Sequence, residues 1–186
     1  MWPRDAKLVP PDAKRVFKGI IYDVYHWQQP LFDGTTATFE MLKRQDSVKV
    51  IAVRDSRIVF VEDEQPGSPA HIALPGGRHD IETEGELACA KRELLEETGM
   101  SFATWKLVGV RQLNDEMDWL TYLFLATDFI GQVNQHNDGG ERTTIHELSY
   151  DEAIQLEPRY ATLVYALETM RQAGSLSGVL ALPEYH

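Results

Sequence analysis

Cysteine is nearly absent: Cys89 is the only one among 186 residues. No intrachain disulfide can form, which points to a reducing compartment, the cytoplasm. Cys89 lies in a helical stretch and reads as a small packing residue rather than a nucleophile. Long apolar runs are missing too. The longest, WLTYLFLA at 119–126, falls far short of the ~20 residues a membrane-spanning helix needs. The opening MWPRDAKLVPPDAKRVF has no apolar signal core. Cations are scarce, with 18 Lys and Arg against 29 Asp and Glu, a net charge of -11. That excludes non-specific nucleic-acid or anionic-membrane binding, which needs a basic field. An anionic substrate would need local help from cations or a metal. No internal repeat, no Cys/His zinc pattern and no Gly-x4-Gly-Lys-Ser/Thr phosphate loop occurs.

What remains is ordinary globular material, 43% hydrophobic and 25% charged, enough for one domain with a sizeable core. Residues 1–14 form a Pro-rich, charged arm. VFKGIIYDVYHWQQPLF (16–32) and TTATFEMLKR (35–44) read as strands around Asp33-Gly34, a strong hairpin signal. KVIAV (49–53) and RIVFVE (57–62) read as two more strands, and DEQPGSPAH (63–71) as a loop. A helix covers 85–98, ended by Gly99. TWKLVGVRQL (104–113) and WLTYLFLATDF (119–129) are strands, with Asp115, Glu116 and Asp118 at a solvated hairpin tip. The polar loop 131–142 precedes TTIHEL, another strand. Ser149 and Glu152 resemble a capping box, and 159–173 makes a final helix. His71 and His79, beside the glycine turn at 76–77, are read as surface histidines. Strands first and helices later predict an α+β fold.

One stretch resists a purely structural reading. RELLEETG, residues 92–99, puts Glu93, Glu96 and Glu97 near a helix C-terminus. Like charges three or four apart repel, and that end of the helix dipole favours cations. On a helical wheel Glu86, Cys89, Ala90, Glu93, Glu96 and Glu97 share one face, leaving Leu87, Ala88, Leu94 and Leu95 to pack. Clustered carboxylates are tolerated when they hold a hard cation such as Mg²⁺, with substrate phosphates completing its shell. Pro75-Gly76-Gly77 could bring a backbone carbonyl close. Spacing alone leaves open both a metal site and a solvated acidic face.

The run GGRHDIETEGELACAKRELLEETGM (76–100) resembles the Nudix box, the signature Gly-x5-Glu-x7-Arg-Glu-U-x-Glu-Glu-x-Gly-U of diphosphate hydrolases, U being apolar. From Glu84 to Met100 the match is complete. Upstream, six residues rather than five separate Gly77 from Glu84. The resemblance implies a Nudix fold, a mixed β-sheet sandwiched between helices, and a Mg²⁺ or Mn²⁺ cofactor. Carried over by position, it makes Glu93 and Glu97 the principal metal ligands, with Glu96 assisting and the Gly76 carbonyl as a further contact. Arg92 would orient the carboxylates, and Gly77 and Glu84 would sit at the substrate.

Residues 1–45 precede the core strands and resemble the N-terminal extension of the ADP-ribose pyrophosphatase branch. There, extra strands build a homodimer and complete the partner's site; 46–186 would be the catalytic domain. Trp27, or Tyr22 or Tyr25, would stack on a base, and Arg44 would contact a phosphate. Glu141, after two loop glycines, would be a ligand or general base. The proline often seen after the box in that branch is missing from 101–131. The expected reaction is metal-dependent hydrolysis of a nucleoside diphosphate derivative, foremost ADP-ribose to AMP and ribose 5-phosphate. Another NDP-sugar or dinucleotide substrate, or a non-catalytic nucleotide-binding module, stands as the alternative.

Overall fold

A computed structural model describes Pro3, residues 5–136 and residues 142–186. Its centre is a mixed six-stranded sheet made of β4 (Ser47–Arg54), β5 (Arg57–Gln65), β6 (Ser68–Ala73), β7 (Met100–Gln112), β9 (Leu120–Gln132) and β10 (Arg142–Leu148). The order is β10-β5-β4-β9-β7, with β6 also paired to β5. β4 and β9 run parallel; the other pairs are antiparallel.

Period-two alternation along the strands builds two cores from one sheet. Val48, Val50 and Ala52 of β4 and Val59 of β5 pack with Cys89, Ala90 and Leu94 of α1 (Glu86–Thr98). Ile51, Val53, Ile58 and Phe60 pack on the other face with Leu163, Ala166, Leu167 and Met170 of α3 (Ala161–Ala173). Ala153 of α2 (Tyr150–Ala153) and Val179 of α4 (Leu176–Leu180) join this second layer. A mixed sheet between helices, in an α+β arrangement, is the expected architecture.

A second sheet, ordered β1-β2-β3-β8, stands beside the first. β1 (Lys14–Lys18), β2 (Asp23–Pro30) and β3 (Thr36–Lys43) are antiparallel neighbours. The short β8 (Met117–Asp118) pairs parallel to β3, with Lys43 opposite Asp118. The Asp33-Gly34 turn forms as its sequence requires. Gly34 takes φ +84°, and Asp33 Oδ1 accepts from the Thr35 N–H and hydroxyl. The run 16–32 is two strands rather than one, interrupted at 19–22.

Other departures have local causes. The stretch 63–71 is largely strand, because a turn through Gly67 (φ +80°) pairs β5 with β6 at the sheet edge, where Pro69 is tolerated. The tail after Gly174 forms α4, begun by the Ser175 hydroxyl accepting from Gly178 N–H. On α1 the core takes Cys89, Ala90 and Leu94, whereas Leu87 and Leu95 are exposed. Asp118 is buried rather than solvated. It accepts from Lys43 Nζ at 2.8 Å and from Val9 N–H at 3.1 Å, fastening the N-terminal arm. The capping box at Ser149 and Glu152 is present.

Candidate functional site

The turn at 75–77 is fixed by its neighbour β4. Val50 N–H donates to the Pro75 carbonyl at 2.9 Å and Val48 N–H to the Gly77 carbonyl at 3.0 Å. Gly76 adopts φ +128°, and a methyl group there would lie 2.3 Å from the Val48 carbonyl oxygen. A methyl group on Gly77 would lie 2.3 Å from Glu93 Oε2. Gly76 is therefore required by the path of the backbone, whereas a side chain at Gly77 would push the Glu93 carboxylate aside.

α1 meets this turn with its acidic face. Glu97 Oε2 accepts from Gly76 N–H at 2.9 Å. Arg92 organises the rest. Its guanidinium donates to Glu93 Oε1 at 2.7 Å and Glu96 Oε2 at 3.2 Å. It also forms a fork onto Glu84, with bonds of 3.0–3.3 Å. Those carboxylates hold the guanidinium charged, well above its ordinary range, with Glu84 the largest influence. Burial pushes the Glu93 carboxyl above the usual range despite its bond to Arg92, and the neighbouring charge of Glu96 adds to the rise. Glu93 is thus a carboxylate whose charge is opposed mainly by its burial.

The helix end gains support from another direction. The last carbonyls of α1 lack partners within the helix, and each finds one outside. Gly99 N–H donates to Leu95, His136 N–H to Glu96, and Gln132 Nε2 to Thr98. The Glu97 carbonyl takes Gln135 Nε2 and the Thr143 hydroxyl. Donors crowded on these carbonyls offset the unfavourable dipole beneath Glu96 and Glu97.

The acidic face opens into a cleft of about 680 Å³. Besides Gly76, Gly77, Glu93, Glu96 and Glu97, its walls include Arg44, Lys49 and Arg78. The guanidinium of Arg44 lies 4.7 Å over the Trp119 ring and 5.7 Å from the centre of Tyr22. Trp119 is itself oriented by Nε1–H donating to Ser47 Oγ at 2.9 Å. Arg44 Nε is buried without a hydrogen-bond partner among the described residues. An arginine stacked and only partly bonded is suited to receive a phosphate.

The structure therefore gathers Arg44, Gly76, Gly77, Arg92, Glu93, Glu96 and Glu97 around one cleft. Glu84 lies behind them, bonded to Arg92. Trp27 does not line the cleft of its own chain; it packs at 6.0 Å on Phe39 of the N-terminal sheet and donates to Gln29. Glu141 lies outside the described residues. Lys49, Trp119, Asp63, His71 and Tyr160 line the cleft without having been singled out as site residues. His71, far from being a surface residue, stacks edge-on to Tyr160 at 4.6 Å. A lysine inside an apolar strand, SVKVIAV, was the one visible signal; the others come from strands too distant in sequence to be associated.

Among the described residues no three acidic, histidine or cysteine side chains converge into a ready-made metal cage. The oxygens are instead engaged with Arg92 and with Gly76 N–H. The donor set is nonetheless hard oxygen throughout, the Glu93, Glu96 and Glu97 carboxylates and the Gly76 carbonyl lining one cleft. That chemistry fits Mg²⁺ or Mn²⁺ and not a thiophilic ion.

Comparison with known proteins gives concordant results. Residues 43–167 match the family model described as NUDIX domain. The chain is 26% identical over 168 residues to an ADP-ribose pyrophosphatase of Bacillus subtilis (strain 168), spanning 85% of this chain and 89% of that protein. A crystal structure titled as an ADP compounds hydrolase superposes with a TM-score of 0.72 at 14% identity, covering 91% of this chain and 96% of the other. At that identity the likeness concerns the fold.

Proposed function

Because the chain belongs to the Nudix family and is a Nudix diphosphatase, we propose that it hydrolyses a nucleoside diphosphate linked to a sugar, foremost ADP-ribose to AMP and ribose 5-phosphate. The observation that carries this reading is the cleft that gathers Glu93, Glu96 and Glu97 together with Arg44, Lys49 and Arg78. The cleft thus offers both carboxylates suited to a cation and basic side chains suited to an anion, as a diphosphate bound through a metal requires. The likeness along most of its length to an ADP-ribose pyrophosphatase supports the choice of substrate.

Each residue has a part that follows from its surroundings. Arg92 holds Glu93 and Glu96 in place and is anchored by Glu84 behind it. Gly76 N–H fixes Glu97. Arg44, aligned by Trp119 and Tyr22, binds a phosphate oxygen. Glu93 and Glu97, with Glu96 and the Gly76 carbonyl, would hold Mg²⁺ or Mn²⁺, which when bound neutralises the diphosphate and acidifies a water. Water adds its oxygen to one phosphorus, the bridging P–O bond breaks, and the water's proton passes to a carboxylate. Glu141 remains a proposed candidate for that base.

We also read the protein as a cytoplasmic homodimer. Neither core cluster includes a residue of β1, β2 or β3. Their neighbourhood exposes Val16, Phe17, Ile20, Ile21 and Phe32, the last fully open to solvent. A second copy covering this sheet would bring Trp27 toward a cleft other than its own. Among the described residues no helix is long and apolar enough to cross a membrane.

The test is a phosphatase-coupled phosphate-release assay on ADP-ribose, ADP-glucose, GDP-mannose, NADH, diadenosine polyphosphates and dGTP, with Mg²⁺ or Mn²⁺. ADP-ribose should be cleaved only with metal. Glu97→Gln should lower kcat by about 10²–10³-fold, the scale of losing one preorganised charge. Silence of the wild type on every substrate would overturn the reading.

A further inference from the structure

Lys49 sits in the middle of β4, between the fully buried Val48 and Val50. A lysine in such a strand is costly unless its ammonium finds acceptors. It finds two on the glycine turn: Nζ donates to the Leu74 carbonyl at 3.1 Å and to the Gly76 carbonyl. Its charge also bears on the Glu93 carboxylate. Gly76 is thereby occupied at both ends, its N–H by Glu97 and its carbonyl by Lys49. The backbone oxygen expected to face a divalent ion already has a cation on it.

We propose that Lys49 is a resident cation that occupies the Gly76 carbonyl in the metal-free protein, competes with the divalent ion for it, and on displacement places its charge on the substrate diphosphate. Two cations do not share one carbonyl oxygen comfortably, because their mutual repulsion acts over a few ångströms in a partly buried site. The lysine stem has four flexible carbons and an ammonium with three donors, so it can leave one acceptor for another. The cleft it lines is the direction open to it, and Arg44 and Arg78 line the same cleft. The bland alternative is a lysine that merely staples the 74–76 turn to β4. A staple would be lost without any gain in metal binding.

The first half of this inference concerns metal alone. The second rests on the diphosphate reading above. Mn²⁺ binding to the substrate-free protein, followed by electron paramagnetic resonance, tests the first half, with the metal-induced rise in Tm as a companion. Lys49→Met should bind Mn²⁺ about tenfold tighter, in the range by which supporting residues alter metal affinity, and should show a larger Tm rise on adding metal. Arg78→Met removes the same charge from the same cleft without touching the carbonyl, and should change affinity by less than about threefold. Lys49→Gln, which keeps a neutral donor, should fall between wild type and Lys49→Met, and serves if the methionine variant folds poorly. With ADP-ribose, both Lys49 variants should raise KM more than they lower kcat. Unchanged or weaker Mn²⁺ binding in the Lys49 variants would overturn the proposal, as would an equal gain in Arg78→Met. Tighter Mn²⁺ binding in a protein that cleaves no substrate of the panel would sink the substrate reading while supporting the place of Lys49 at the carbonyl.

Discussion

Glu93 carries its charge at a disadvantage. Burial raises its pKa above the ordinary 4.5, so folding of the metal-free protein favours the protonated carboxyl more than the unfolded chain does. A carboxyl with a raised folded pKa lends stability below its unfolded pKa and loses it as pH climbs through the folded value. Glu93→Gln should therefore raise the metal-free Tm at neutral pH, by about 2–4 °C per kcal/mol recovered in a chain of this size. At a pH well below 4.5 the advantage should vanish, because both side chains are then neutral. The same variant should lose activity, a trade of stability against function. Thermal melts at the two pH values check it. Cys89 is the converse case. Burial, abetted by the charge of Glu93, pushes its thiol up to about 12. Iodoacetamide should leave the native protein unlabelled and modify it only after denaturation, as mass spectrometry would show. At this scale the sequence is most eloquent about α1. Arg92, Glu93, Glu96 and Glu97 sit within one and a half turns, and their conflict with the helix dipole is visible without coordinates. Lys49, Arg44 and Trp119 meet the same cleft from three different strands or loops, and no local pattern joins them.

At the scale of elements, the acidic helix depends on what ends it. Gly99 has φ +69°, and a methyl group there would lie 2.0 Å from the Val133 carbonyl oxygen. Gly99→Ala should destabilise by about 1–3 kcal/mol or more, from backbone strain plus that contact, read as a lower urea midpoint. Because the Gly99 and Val133 backbones are bonded together, the damage should reach the donors on the Glu96 and Glu97 carbonyls and reduce activity as well. The helix and its terminating glycine were legible because capping is local chemistry. So were the Asp33-Gly34 hairpin and the capping box at Ser149. The β5–β6 hairpin was obscured by two prolines and a glycine, which describe its turn and edge as readily as a loop. The exposure of Leu87 and Leu95 was hidden because small residues, Cys89 and Ala90, let α1 lie close on the sheet. Hydrophobicity alone ranks leucine as the inward face; close approach of the backbone reverses the choice.

At the scale of the molecule, the N-terminal sheet is the part whose apolar side chains have no helix-backed core to enter. If a second copy covers it, Phe17→Asp combined with Phe32→Asp should shift the mass by light scattering from dimer to monomer. A monomeric wild type would refute the assembly. The order of strands first and helices later was enough to suggest an α+β fold, and the resemblance of residues 76–100 to the Nudix box implied the sheet between helices. It gave no hint that residues 117–118 would cross to pair with β3, since two residues carry no periodic signal. That pairing has a consequence for synthesis. Asp118 receives Lys43 across 75 residues of chain and Val9 across 109. At about 5–20 residues per second, β1, β2 and β3 emerge roughly 4–15 seconds before the strand that closes their edge. Throughout that interval the free edge of β3 and the apolar side chains around it stand open on the ribosome. The nascent chain thus meets its greatest risk of mispairing in its first quarter, and the arm can be latched only after most of the molecule has been made.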